Sequence, residues 1–193
     1  SVTILGDDLY CKQPFCAQLL DHGCNVILVC KPDSHKTLYE WIATLEAAGD
    51  RPHWSIRRWN GRFHEVHTYR YANGVPGREG EDALWVNWCE RTITKETDGT
   101  LLYRNAFATQ HHLDRTTVEG IVQAGRARWK IENENNNTLK TKGYHLEHNY
   151  GHGKQHLSAV LLTLNLLAFL FHTVLGWVDP KYHRVRQALA ARQ

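Results

Sequence analysis

Val2-Thr3-Ile4-Leu5-Gly6-Asp7-Asp8 and Asn25-Val26-Ile27-Leu28-Val29-Cys30-Lys31 are the two stretches that decide how this chain folds. Each is a short unbroken apolar run, the pattern of a strand covered on both faces. Between them, Pro14 suits a first helical turn and Phe15, Cys16, Leu19 and Leu20 repeat at helical spacing, which predicts a helix over 14–21 ended by His22-Gly23. Strand, helix and strand in so short a span predict a parallel crossover and hence an α/β fold. The first run delivers Asp7 and Asp8 to its carboxyl end. Ligands gather at such ends in open α/β sheets, and a carboxylate there is well placed to hold Mg²⁺. Gly-Asp-Asp is equally good turn chemistry.

Outward from this opening, a helix is expected over 35–48 after Pro32-Asp33-Ser34. The character then changes. Residues 54–71 alternate and are rich in aromatics, and Asn60-Gly61 between two strand-like arms is a strong hairpin signal. Asn73-Gly74-Val75-Pro76-Gly77 reads as the next turn, and 84–94 and 101–109 as two further strands separated by Asp98-Gly99. Thr116 with Glu119 three residues on forms a capping-box pattern, opening a helix that runs through Trp129-Lys130-Ile131-Glu132 until Asn135-Asn136-Asn137 weakens it. Gly143 and Gly151-His152-Gly153 mark a loop before the longest apolar segment, 157–175. Asn165 and His172 within that segment would be costly at mid-bilayer depth, so a helix buried in protein is expected there, without membrane insertion.

A length of 193 residues suits a single mixed domain with an elaboration in its middle, and 42% hydrophobic against 22% charged residues argues against intrinsic disorder. The formal charge of +3 tolerates a nucleic-acid partner without indicating one. Cys11, Cys16, Cys24, Cys30 and Cys89 are odd in number and contain no C-x-x-C pair for zinc, so reduced, packed thiols in a cytosolic protein are expected. With no Met and a strand-like opening at Ser1, the chain reads as an internal or C-terminal fragment.

Arg128 and Glu132, four apart on the expected helix, face one side, where a guanidinium can hold the carboxylate or contact a phosphate beside it. By pattern alone this is an ordinary surface ion pair. Read together with the strand ending in Asp-x-x-Tyr (Asp7, Tyr10), the β-rich middle, Arg-Trp-x-Ile-Glu (128–132), Leu139-Lys140 and the segment Gly-Tyr-His-Leu-Glu-His-Asn-Tyr-Gly-His-Gly (143–153), the chain resembles the DDE transposases of bacterial insertion sequences. Within them it is similar to the branch with a β insert before the catalytic glutamate and a Tyr-x2-Arg-x3-Glu-x6-Lys signature. Arg128 stands at the Arg and Glu132 at the Glu of that signature; Gly125 stands at its Tyr, and Lys140 lies eight residues after Glu132, not seven.

The resemblance implies an RNase H-like mixed sheet with flanking helices and an antiparallel β-rich insert. Residues 1–50 would form the first part of the core, 51–112 the insert and return strands, and 113–193 the second part with the glutamate helix and buried C-terminal helices. It implies two-metal chemistry with Mg²⁺ or Mn²⁺, for which hard oxygen ligands are suited. Asp7 and Glu132 would be catalytic and metal-binding, with Asp8 and Glu134 as alternatives in register, and a first aspartate would lie upstream of Ser1. Arg126, Arg128, Lys140 and Lys142 would contact DNA. The partners implied are transposon ends and target DNA, with a homodimer in the synaptic complex, in the bacterial cytoplasm at the nucleoid. A truncated or domesticated remnant that binds DNA or a partner without catalysis is the competing expectation.

His145, Glu147, His148, His152 and His156 are dense enough to suggest zinc, although Gly151 and Gly153 interrupt any helix that would align them. The aromatics Trp54, Trp59, Tyr69, Tyr71, Trp85 and Trp88 are expected to form the core of the insert, while Arg57, Arg58, Arg62 and Arg70 could track phosphates.

Overall fold

The two apolar runs form β1 (Thr3–Gly6) and β2 (Asn25–Val29), paired in parallel with Gly6 beside Leu28 and joined through helix α1 (Gln13–Asp21). The structure is a computed structural model and describes residues 2–49, 52–148, 151 and 153–190. The chain divides into two units, Ser1–Arg128 and Trp129–Gln193.

In the first unit, helix α2 (Lys36–Ala47) follows β2, and then come β3 (His53–Trp59), β4 (His64–Pro76), β5 (Trp85–Lys95), β6 (Leu101–Thr109) and helix α3 (Val118–Ala127). The four later strands do not make a sheet of their own. They extend the first sheet in the order β1-β2-β6-β5-β4-β3, with β6 antiparallel to β2. The unit is therefore a mixed α/β sheet flanked by helices. Alternate residues of β2 serve the two faces. Val26, Leu28 and Cys30 join Leu38, Ile42, Trp88 and Ala108 on the α1/α2 side, and Ile27 and Val29 join Tyr69, Phe107, Val118 and Val122 on the α3 side.

Asn60-Gly61 turns the β3–β4 hairpin as expected. Trp59 and His64 are its last pair, Asn60 Oδ1 accepts from the amides of Arg62 and Phe63, and Gly61 takes φ +99°. The turn expected at 73–77 is instead a bulge inside β4, where the register to β5 shifts between Ala72 and Val75. Gly74 supplies φ +64° and donates its amide to Asn87 Oδ1 (2.9 Å), and the Asn73 side chain exchanges two hydrogen bonds with the Leu113 backbone. The same residue types serve a turn or a bulge, and here long-range partners select the bulge. The capping box is also displaced. Asp114 Oδ1 accepts from the Thr116 and Thr117 amides while Thr117 Oγ1 accepts from the Asp114 amide, leaving Glu119 to pair with Arg58.

In the second unit, Ile131–Asn136 winds as a π-helix, followed by α4 (Asn137–Thr141), α5 (Leu157–Val178) and α6 (Pro180–Ala190). Tyr144 hydrogen-bonds His172 Nδ1 at 2.7 Å and meets Phe169 edge-on. The expectation of buried C-terminal helices is corrected: the helix forms, but no described residue of α5 is buried, and Leu167, Leu170, Phe171 and Trp177 are more than half exposed. A helix apolar on nearly every side needs cover on every side, and among the described residues of this unit α5 meets α4, α6 and Tyr144 while leaving most of its apolar side chains exposed. By length and composition α5 meets the requirement for a membrane span.

Candidate functional site

Asp7 and Asp8 emerge where β1 ends and separate at once into two roles. Asp7 caps a 3₁₀ turn over Asp8–Tyr10, its Oδ1 accepting from the Asp8 amide at 2.7 Å. Asp8 turns back over the end of β2. Its Oδ1 accepts from the Lys31 amide at 2.8 Å and its Oδ2 from the Ser34 hydroxyl at 2.6 Å. Burial pushes the Asp8 carboxyl up, but the Ser34 and Lys31 hydrogen bonds and the charges of His35 and Lys12 outweigh it and hold it below the usual carboxylate range. Both Asp8 oxygens are thus committed to tying the ends of β1 and β2 together. Asp7 remains about two-fifths exposed, with Oδ2 3.8 Å from the Arg128 guanidinium.

Arg128 reaches Asp7 because α3 lies close on the sheet. Gly125 makes that possible, since a Cβ there would stand 2.6 Å from the Phe107 ring and 3.0 Å from Ile27 Cγ2. No side chain fits this position without displacing the ring, so the tyrosine of the transposase signature has no room at residue 125. Glu132 lies in the π-helical segment of the second unit, and its side chain is outside the described residues. A π-helical turn is rare and often marks a functional position.

A second group of side chains meets just behind Asp8. Sulfur or nitrogen atoms of Cys11, Cys30 and His35 all lie within 4.8 Å of one another. The Cys30 thiol donates to Cys11 and, helped by His35, brings the Cys11 thiol down to about 6 against the effect of burial, while Cys30 is pushed up correspondingly. His35 Nε2 is buried without a hydrogen-bond partner, 3.4 Å from Asp8 Oδ1. Cys11 and His35 also line a cavity of about 260 Å³ with Lys12, Ser34, Leu38 and Arg78. The cysteine spacing in the sequence did not signal this cluster, because Cys11 and Cys30 become neighbours only through the parallel pairing of β1 with β2.

The remaining expected contacts are largely occupied within the protein. Lys140 pairs with Glu147 at 2.8 Å, and the exposed Arg126 lies over the Tyr103 ring, 4.8 Å from its centroid. Lys142 is exposed just beyond α4. Among the hairpin arginines, Arg57 pairs with Glu96, Arg58 with Glu119 and Arg70 with Glu90. Trp54 stacks on Tyr69 with ring centroids 4.9 Å apart and Trp88 is buried, as expected of a core, while Trp59 and Trp85 are more than half exposed. Among the described residues, His145, Glu147, His148 and His156 do not assemble a metal-binding cluster, and His152 lies outside them.

The strand ends thus offer two chemistries side by side. Asp7 is a hard oxygen ligand beside a guanidinium, suited to a divalent cation and a phosphate, and the thiol–imidazole cluster is suited to a softer ion. No protein-family model matches this chain, and no curated protein matches it in sequence.

Proposed function

We propose that this chain is part of the catalytic domain of a DDE insertion-sequence transposase, which cleaves and transfers DNA strands with Mg²⁺ or Mn²⁺. The observation that carries the reading is the placement of Arg128 within 3.8 Å of Asp7, at the carboxyl end of a sheet strand. Two residues far apart in sequence, singled out by the resemblance, come together where such sheets hold their ligands.

In this reading Asp7 holds a metal ion, and Asp8 fixes the loop without binding metal because its oxygens are already used. Glu132 supplies the second carboxylate, and Arg128 lies beside Asp7 to receive a phosphate. The RNase H-like arrangement belongs to the same proposal. It is supported by the parallel β1–β2 pair within a mixed sheet flanked by helices. The divalent ions supply charge neutralisation and activate the attacking oxygen in phosphodiester chemistry.

The test is strand cleavage by the full-length protein on DNA carrying the element ends. Asp7→Asn and Glu132→Gln should each abolish Mg²⁺-dependent cleavage while retaining DNA binding in a metal-free shift assay, since neither removes a phosphate contact. Cleavage that survives Asp7→Asn would overturn the assignment. The crowded position of Gly125 favours one competing reading, a remnant that binds DNA without cutting it. That reading predicts binding by the unaltered protein with no cleavage under any divalent ion.

A further inference from the structure

We infer that Cys11, Cys30 and His35 form a binding site for a soft divalent cation, Zn²⁺ among the common ones, that staples the loop after β1 to the end of β2 and the start of α2. This inference does not depend on the transposase reading.

Three separate segments converge to build the site. Cys11 follows the 3₁₀ turn that Asp7 caps, with its amide bonded to the Asp8 carbonyl at 3.1 Å. Cys30 follows directly on β2, its amide held by the Ala106 carbonyl at 3.0 Å. His35 stands at the N-terminus of α2. The backbone at each position is fixed by hydrogen bonds or by its place at a helix end, so the side chains are held near one another before any ion arrives.

Size and donor type both fit. Zinc bonds of about 2.3 Å to sulfur and 2.0 Å to nitrogen place tetrahedral ligand atoms ~3.3–3.8 Å apart, which is within reach of three atoms already inside 4.8 Å of one another. Two sulfurs and an imidazole select zinc over magnesium, whose preference is for oxygen. Cys11 and Cys30 are 7% and 1% exposed and the His35 side chain 8%. A cation would also occupy the buried His35 imidazole nitrogen, which has no hydrogen-bond partner among the described residues. Asp8, 3.4 Å from that nitrogen, adds negative charge beside the imidazole. The cavity that Cys11 and His35 line leaves room for a water as fourth ligand.

Such an ion would act structurally. It would hold Cys11, just after the turn that Asp7 caps, to the end of β2 and the start of α2.

The experiment is a Co²⁺ titration of the full chain, purified reduced and metal-free. We expect one equivalent of Co²⁺ to give the visible bands of a tetrahedral ion together with a thiolate-to-cobalt charge-transfer band. Zn²⁺ should bleach both, and a large excess of Mg²⁺ should leave them unchanged. Cys30→Ser and His35→Ala should weaken Co²⁺ binding at least tenfold, whereas Cys24→Ser, whose sulfur lies outside the cluster, should not. The unaltered protein decides the matter even if the variants fail to fold. A wild-type spectrum without the thiolate band would overturn the proposal, as would a Cys11–Cys30 disulfide in protein kept under reductant. DNA cleavage is not read in this assay, so its outcome and that of the transposase test are separate.

Discussion

Gly125 of α3 and Phe107 of β6 touch so closely that a single added methyl carbon would fall 2.6 Å from the ring. Helix and sheet are drawn together at this point, and Ile27 closes the contact at 3.0 Å. Gly125→Ala should therefore destabilise the first unit by roughly 1–3 kcal/mol through overpacking, despite the better helix propensity of alanine. Adding Phe107→Leu to the same chain should recover part of the loss. Urea unfolding of the single and double variants checks this, and an alanine variant as stable as the parent would show that the contact relaxes freely.

Asp7 and Asp8 should respond unequally to neutralisation. Asp8→Ala removes the acceptor for the Lys31 amide and the Ser34 hydroxyl, at a cost of about 1.5–3 kcal/mol for hydrogen bonds to a charged group. Asp7→Asn keeps an oxygen for the Asp8 amide and should leave stability within ~0.5 kcal/mol of the parent. Thermal melts of the two variants side by side separate the roles.

Glu90, 2% exposed in the middle of the sheet, sits between Arg70 and Arg104. Glu90→Gln removes the buried anion and leaves Arg70 and Arg104 partly open to solvent, so it should cost about 1.5–3 kcal/mol, the scale of hydrogen bonds to a charged group. Replacing all three residues by apolar ones of similar volume should cost much less. Denaturant midpoints for the single and triple variants test the difference.

The Asp114 cap supplies a pH dependence. The Thr116 hydroxyl and the Thr116 and Thr117 amides lower its carboxyl to about 2, from an ordinary 3.8. A carboxylate depressed in the folded state contributes stability above its unfolded pKa and loses it as pH falls through the folded one. The melting temperature of Asp114→Ala should thus lie below that of the parent near pH 5, and the gap should narrow between pH ~4 and ~2. A gap that stays constant across that window would show that the charge on Asp114 is immaterial to the cap.

How much of this was legible in the sequence depends on whether the deciding partner was local. β1, α1 and β2 were readable from apolar runs and helical spacing, since their patterns reflect the faces they bury. Asn60-Gly61 was readable because a hairpin loop closes on itself. Asn73-Gly74 was not, because its partners Asn87 and Leu113 lie elsewhere in the chain. For the same reason the sequence left Asp8 open as an alternative to Asp7, since Lys31 and Ser34, which occupy it, lie beyond β2. Cys11, Cys30 and His35 share no local spacing and meet only through strand pairing. The length and apolarity of α5 were plain in its residues, but its exposure was not, since periodicity states what a helix needs and not whether the chain supplies it.

β1 has only four residues and, among the described residues, a strand neighbour on one side alone, whereas β5 is laddered along most of its length to β4 and β6. Amide hydrogen exchange should therefore be graded across the sheet, slowest in β5 and fast in β1, with local opening of β1 reached well below the free energy of global unfolding. Asp7 thus follows directly on a strand expected to open locally. A ligand that requires β1 closed would be charged the cost of closing it, and would slow exchange at Ile4 and Leu5 on binding while leaving β5 as it was.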